Sequence, residues 1–317
     1  MRILVHYPFA AEQVDELRAI AAGDGHELKF AEDEDEAADL VADCECLLGF
    51  FSEKVTAAAP QLRWIQSFSA GMDNFLYAEI IDREQVEVSN TAGLFAPQGG
   101  EHVWALLLAL TRGLLPFIRQ MPERKWAGGQ VIELTGMTLG LIGLGGFGRE
   151  TAKRARGYDM RIIGLDPVRQ APMEDIDEIR TPEPSNMDWL LSCSDAVVIG
   201  CPRTPQTYHL IGAKQLAQMK ETAYLICVSR GGIIDEGALI QALHDGQLAG
   251  AGLDVSEQEP LPADHPLWEA PNLILTPHRA GASQHRPRKI HEFFCDNLRR
   301  YLRGESPLNI VDKARGF

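Results

Sequence analysis

The segment from Thr138 to Asp166 constrains the fold of this chain most. An apolar run, Leu139-Gly140-Leu141-Ile142, passes into Gly143-Leu144-Gly145-Gly146-Phe147-Gly148, and a helical pattern follows from Arg149 to Arg156. A second apolar run, Met160 to Leu165, ends on an acid, Asp166. Strand, glycine turn, helix and strand make a βαβ unit, which requires a parallel sheet covered by helices. The glycine spacing is that of a dinucleotide site. Gly143 permits the tight turn, Gly145 lets the backbone approach a pyrophosphate, and Gly148 lets the helix pack on the strand. The helix N-terminus offers N–H groups and a positive dipole end to phosphates. Asp166, 18 residues beyond Gly148, falls where an acid meets the ribose hydroxyls.

The same alternation runs through the rest of the chain. Strands are expected at Arg2 to His6, His26 to Phe30, Glu45 to Phe50, Arg63 to Ser67 and Val86 to Asn90, with a helix from Ala11 to Ala22. That is a small parallel α/β domain, with candidate loops Phe51-Ser52-Glu53 and Ser69-Ala70-Gly71-Met72-Asp73 after strand ends. One long leucine-rich helix is read from Gln98 to Arg119, apolar on several faces, and a loop from Met121 to Gly136. Ala196 to Gly200 and Ala223 to Val228 are near-continuous apolar runs, the pattern of central parallel strands. Gly250 to Val255 and Leu273 to Leu275 are two more, and a final helix spans Gln284 to Leu302 before Gly304. The glycine-rich unit opens mid-chain, so the division expected is 1–98 plus 285–317 as one domain, with 99–284 inserted into it.

At 317 residues the chain exceeds one ordinary core, which favours two domains. Its net charge of −15 disfavours nucleic acid and anionic membrane as partners, because both reward basic patches. The acid run Glu32 to Glu36 reads as a solvated helix face. The longest apolar run, Val103 to Leu110, falls far short of the roughly 20 residues that span a bilayer. The N-terminus lacks the pattern of a signal peptide. Six scattered cysteines, without a framework or a second Cys-x-Cys pair, suit a reducing cytoplasm and give no zinc site, so no metal is expected.

Three apolar strands beyond the nucleotide unit end in polar stretches, where open α/β sheets bind ligands. They are Val228-Ser229-Arg230-Gly231-Gly232, Gly252-Leu253-Asp254 running on to Glu257-Gln258-Glu259-Pro260, and Leu275-Thr276-Pro277-His278. With Glu101-His102, Cys201-Pro202-Arg203-Thr204-Pro205 and His265-Pro266-Leu267-Trp268, these stretches resemble the D-2-hydroxyacid dehydrogenase family. The resemblance covers roughly residues 45 to 300. It implies an α/β fold of two doubly wound parallel-sheet domains, a flavodoxin-like substrate domain and a Rossmann NAD-binding domain.

The resemblance also implies roles. Arg230 would bind the substrate's carboxylate and keto oxygen, for which a planar fork of donors is suited. His278 would be the acid/base, since imidazole exchanges protons near neutrality. Glu259 would hold the other imidazole nitrogen, fixing its tautomer and favouring the protonated ring. Cofactor contacts would come from Gly143, Gly145, Gly146, Phe147, Gly148, Asp166, Pro202 and Asp254, the last beside the nicotinamide amide. Ser69-Ala70-Gly71 would receive the substrate carboxylate on backbone N–H groups. His102 reads instead as a packed interface residue, and His6 is open.

The chain departs from the family at three places. Gly146-Phe147 stands where Arg-Ile is common, Cys227 stands where Asn is common, and Arg169 could approach a 2′-phosphate. The cofactor expected is NAD, with NADP as the alternative. The reading is an enzyme interconverting a small 2-hydroxy acid and its 2-oxo acid between two closing domains, a homodimer through helix 98–119, in the cytoplasm. Its rivals are a formate or phosphite dehydrogenase of the same architecture and a nucleotide-sensing corepressor. Phe50, Phe51 and Met72 suggest an apolar wall for the substrate's side chain.

Overall fold

The computed structural model describes residues 1–23 and 25–317. The chain divides into two compact units, Met1–Leu94 with Ser283–Phe317, and Phe95–Ala282.

The first unit opens with β1 (Arg2–His6), α1 (Ala11–Gly23), β2 (Glu27–Phe30), α2 (Glu34–Leu40), β3 (Cys46–Gly49), α3 (Glu53–Ala57), β4 (Trp64–Ser67), α4 (Ala78–Asp82) and β5 (Glu87–Ser89). Its sheet has the order β2-β1-β3-β4-β5 and every pair is parallel. That is the flavodoxin-like order, and its direction of winding reverses between β1 and β3. The acid run forms the start of α2. Asp33 caps it by accepting the Glu36 N–H at 2.9 Å, and Glu34, Asp35 and Glu36 sit where the helix dipole favours negative charge.

The second unit contains α5 (Ala96–Thr111), α6 (Leu114–Gln120), β6 (Thr138–Ile142), α7 (Gly146–Ala155), β7 (Arg161–Leu165), β8 (Glu178–Arg180), α8 (Pro184–Cys193), β9 (Ala196–Ile199), α9 (Ala213–Leu216), β10 (Tyr224–Cys227), α10 (Glu236–His244), β11 (Gly250–Leu253) and β12 (Leu273–Leu275). Seven parallel strands lie in the order β12-β11-β10-β9-β6-β7-β8, a doubly wound Rossmann sheet that reverses between β6 and β9. Leu141, Val197, Val198, Leu225 and Ile226 are fully or almost fully buried, which is why their strands read as unbroken apolar runs.

The single helix expected over 98–119 is two helices. α5 and α6 meet at 67° across Gly113, which adopts a left-handed φ of +65°. A Cβ there would lie 2.7 Å from the Gln130 carbonyl oxygen, so the bend depends on glycine. Val103, Leu106 and Leu107 of α5 are buried in this unit's own core, so the leucine pattern reflects packing within the chain. No single helix among the described residues is long and apolar enough to cross a membrane.

The chain then returns to the first unit as α11 (Arg286–Leu302). The Asn297 amide donates to Gln66 Oε1 at 2.6 Å and accepts the Leu308 N–H at 2.7 Å, while Tyr301 stacks on Trp64 with centroids 4.7 Å apart. Glu16, His291 and Cys295 are metal-ligating types that come together here. Their polar atoms have protein partners: His291 Nε2 donates to the Gln13 carbonyl at 3.1 Å, and Arg299 pairs with Glu16 at 2.8 Å. Burial pushes the Cys295 thiol up to about 12.

Candidate active site

The nucleotide turn lies at the carboxyl end of β6, beside the reversal of the sheet. Gly143 has a φ of +94°, and a Cβ there would stand 2.6 Å from the Cys201 nitrogen at the end of β9. At Gly148 a Cβ would overlap the Gly143 carbonyl oxygen. At Gly145 a Cβ would meet nothing within 4 Å. The first and third glycines therefore serve the protein's own packing, and the second faces open space. Gly145 is also the N-cap of α7, and no side chain caps that helix. Its first-turn N–H groups are thus left for an anion, the feature a pyrophosphate requires.

Phe147 turns its ring onto α5, where a Cβ on Gly99 would collide with it, so only its backbone can face a nucleotide. The Asp166 carboxylate is 4% exposed and accepts three backbone N–H groups, from Leu144 at 2.8 Å, Val168 at 2.9 Å and Arg169 at 2.7 Å. It therefore ties the glycine turn to the end of β7. The Arg169 guanidinium lies 3.9 Å from this carboxylate. On the β9 side, the Pro202 carbonyl accepts the Thr207 hydroxyl at 2.7 Å, closing the loop that follows.

The other candidate residues sit past the carboxyl ends of three adjacent strands. Cys227 of β10 is in register with Leu253 of β11, and Leu253 with Leu275 of β12. Arg230, Asp254 and His278 follow within three residues of these ends. His278 Nδ1 donates to Glu259 Oε2 at 2.6 Å, and Glu259 Oε1 accepts the Ser256 N–H at 3.1 Å. The alternative acid, Glu257, is engaged elsewhere, accepting from His209 Nε2 at 2.8 Å. The geometry thus selects Glu259 as the imidazole's partner. Both groups keep solvent access, with side-chain exposures of 46% for His278 and 37% for Glu259.

His278 has a left-handed φ of +53°, which costs a non-glycine residue about 1 kcal/mol or more. Asp254 holds it there. Its backbone carbonyl accepts the His278 N–H at 2.8 Å, and its buried carboxylate accepts from Thr276 Oγ1 at 2.5 Å, Arg279 N at 2.8 Å and Ala280 N at 2.6 Å. Burial alone would raise the Asp254 pKa, but hydrogen bonds from His102, Thr276 and the Arg279 and Ala280 backbone outweigh it and hold it below the ordinary 3.8. Sequence reasoning missed His102 as part of this network. Its Nε2 lies 2.8 Å from Thr276 Oγ1 and 3.3 Å from Asp254 Oδ1, inside the unit's own structure.

The Arg230 guanidinium donates to the Ser229 carbonyl at 2.7 Å. The Cys227 thiol, pushed up by burial, lies under this turn, 3.8 Å from Ser229 Oγ and 3.7 Å from the Arg230 carbonyl. In the first unit, Ser69 N donates to Ser67 Oγ at 3.1 Å, Ser69 Oγ donates to the Gly71 carbonyl at 2.9 Å, and Asn90 Nδ2 donates to the Ala70 carbonyl at 3.1 Å. None of these bonds uses the N–H of Ala70 or Gly71. His6 is buried, and its Nδ1 donates to the Phe50 carbonyl at 3.2 Å. Phe51 and Met72 are core residues, 5% and 2% exposed, and cannot form the substrate wall expected of them.

Residues 104–280 match the family model for the NAD binding domain of D-isomer specific 2-hydroxyacid dehydrogenases. The chain belongs to this family. It is 38% identical over 283 residues to a glyoxylate reductase of Korarchaeum cryptofilum, covering 86% of this chain and 84% of that one. Among solved structures it resembles a D-isomer specific 2-hydroxyacid dehydrogenase family protein from Aeromonas salmonicida, with TM-score 0.84, 30% identity and coverage of 98% and 99%. A 2-hydroxyacid dehydrogenase from Xanthobacter autotrophicus Py2 in complex with NADPH and MES gives TM-score 0.81 and 28% identity, covering 99% of each chain. The protein is therefore an NAD(P)-dependent oxidoreductase of 2-hydroxy acids, with the Rossmann unit as its dinucleotide domain.

Proposed function

We propose that the protein reduces a small 2-oxo acid to its D-2-hydroxy acid with NADH, and catalyses the reverse reaction, using His278, Glu259 and Arg230. The observation that carries this reading is the 2.6 Å bond between His278 Nδ1 and Glu259 Oε2 at the strand ends. When bound in the Rossmann unit, a nicotinamide cofactor would supply the hydride for C2. His278 Nε2 gives its proton to the carbonyl oxygen as charge develops there, and takes it back in oxidation. Glu259 fixes Nδ1 as the donor side of the ring, so that Nε2 faces the substrate. Arg230 pairs with the carboxylate and the keto oxygen. In the first unit, the Ser69-Ala70-Gly71 loop is assigned to substrate binding through its backbone N–H groups.

The cradle residues fit a dinucleotide: an uncapped helix N-terminus, an open face at Gly145, and Asp166 at the end of β7. The Asp166 carboxylate disfavours a 2′-phosphate, which supports NADH over NADPH. Asp254 would face the nicotinamide amide, and Pro202 the adenosine side. We also infer a homodimer through α5 and α6, supported by the exposed Leu114, Ile118 and Met121, and checked by light scattering.

The test is NADH oxidation across a panel of 2-oxo acids, with formate-dependent NAD reduction alongside. Oxo-acid-dependent turnover supports the reading. Formate turnover alone, or nucleotide binding without turnover, overturns it.

A further inference from the structure

Glu259 meets His278 from a loop, and the 2.6 Å bond between them requires that this loop be held in place. The turn from Ser256 to Glu259 is closed within itself. The Ser256 N–H donates to Glu259 Oε1 at 3.1 Å, and Ser256 Oγ donates to the Gln258 carbonyl at 2.6 Å. Neither bond ties the turn to the rest of the unit. The Glu257 side chain pairs with His209, but both groups are about one-third exposed, and water screens such a pair. The buried tether is the Glu257 backbone N–H, which donates to Glu236 Oε1 at 2.7 Å.

Glu236 is the first residue of α10, directly after the N-cap Asp235. The helix dipole favours an acid there, and a solvated one would serve. Glu236 is instead 8% exposed, and burial pushes its carboxyl above the ordinary 4.5. Its second oxygen, Oε2, lies 3.5 Å from His265 Nε2. His265 Nδ1 accepts the Leu267 N–H at 3.3 Å, so the ring keeps a proton on Nε2, facing Glu236. A steric contact adds to these bonds. A Cβ on Gly231 would overlap the Ser256 carbonyl and stand 2.8 Å from the Glu257 nitrogen, so the residue beside Arg230 lies flat on the same peptide.

Building on the acid/base reading above, we propose that Glu236 is a positioning residue that acts through Glu259. Its carboxylate fixes the Ser256–Glu259 turn, and the turn sets Glu259 against His278. The role depends on the length of the side chain more than on its charge. Glu236→Asp keeps the charge at the helix start, but its carboxylate falls one methylene short of the Glu257 N–H. Glu236→Gln loses the charge and keeps a carbonyl oxygen at the right distance.

The test measures kcat with NADH and whichever of glyoxylate, pyruvate and phenylpyruvate the wild type reduces fastest, with NADH affinity alongside. Glu236→Asp lowers kcat about tenfold, as expected of a displaced catalytic group, and Glu236→Gln stays near wild type. NADH affinity is unchanged in both. In a Glu259→Gln background Glu236→Asp adds little, because the group it positions is already gone. A wild-type kcat in Glu236→Asp, an equal loss in Glu236→Gln, a parallel loss of NADH affinity, or a loss that multiplies in full with that of Glu259→Gln overturns the positioning role. With Glu259→Gln itself impaired, those results leave the acid/base pair standing. A wild-type kcat in Glu259→Gln, or no turnover of any oxo acid by the wild type, overturns the reading of the site and this proposal with it.

Discussion

Gly145 and Gly148 differ by three positions and by everything around them, so one methyl group added to each separates cofactor binding from folding. In Gly148→Ala the new Cβ falls within 3.0 Å of the Gly143 carbonyl oxygen, a backbone atom of the tight turn. Neither element can yield without moving α7 off β6, so the cost is at the upper end of overpacking, about 3 kcal/mol or more. In Gly145→Ala the Cβ meets no protein atom within 4 Å, and the residue has an extended, negative-φ backbone. Alanine is a poorer N-cap than glycine by roughly 0.5–1 kcal/mol. It also restricts the unfolded chain, which returns about 0.4–1 kcal/mol. The two nearly cancel, and stability stays within about 0.5 kcal/mol of wild type. The added methyl occupies the face assigned to the pyrophosphate, so the NADH dissociation constant rises about tenfold or more, equivalent to ~1.4 kcal/mol. Urea unfolding and NADH fluorescence titration of both variants make the assay. Wild-type affinity in Gly145→Ala would show that the open face does not receive the nucleotide, and a large loss of stability there would refute the packing argument.

Glu259→Gln should lower kcat roughly tenfold or more, because the imidazole loses its orienting charge, while Glu257→Gln, whose carboxylate serves His209, should leave kcat near wild type; matching losses would undo the assignment. Asp254→Asn sets an amide N–H₂ among donors and should cost about 2 kcal/mol at neutral pH. The folded pKa of Asp254 lies below 3.8, so its contribution is fully present above 3.8 and is lost as pH falls through the lower folded value. The stability gap between wild type and variant should therefore close in strong acid, and a gap constant from pH 6 to pH 2 contradicts this. Asp166→Ser should raise the NADPH/NADH ratio of kcat/KM and also lower stability by about 2 kcal/mol, since one hydroxyl cannot satisfy three backbone N–H groups; an unchanged melting temperature would exclude the clamp.

The seven-stranded sheet was legible because its central strands are buried on both faces, so Ala196–Ile199 and Tyr224–Cys227 appear as unbroken apolar runs. β8 was not, because an edge strand of sequence Glu178-Ile179-Arg180 carries no such run. The break at Gly113 was hidden because leucines continue on both sides of it, and a glycine within a leucine pattern does not announce its φ. His278 and Glu259 stood out as strand-end motifs, but Thr276 and His102, 174 residues apart, meet only through the tertiary fold. Phe51 and Met72 show the limit of local reading: an aromatic or methionine past a strand end can face a ligand or the core, and these two face the core.

His278 is assigned the proton transfer, and the decisive experiment is the steady-state kinetics of His278→Ala with a 2-oxo acid that the wild type reduces. Its side chain bonds to Glu259, and its removal leaves the backbone bond from His278 N–H to the Asp254 carbonyl in place. The expected result is a fall in kcat of about 10²–10⁴-fold, the range for losing a positioned acid/base, with NADH affinity unchanged. A kcat close to wild type would contradict it and remove His278 from the mechanism.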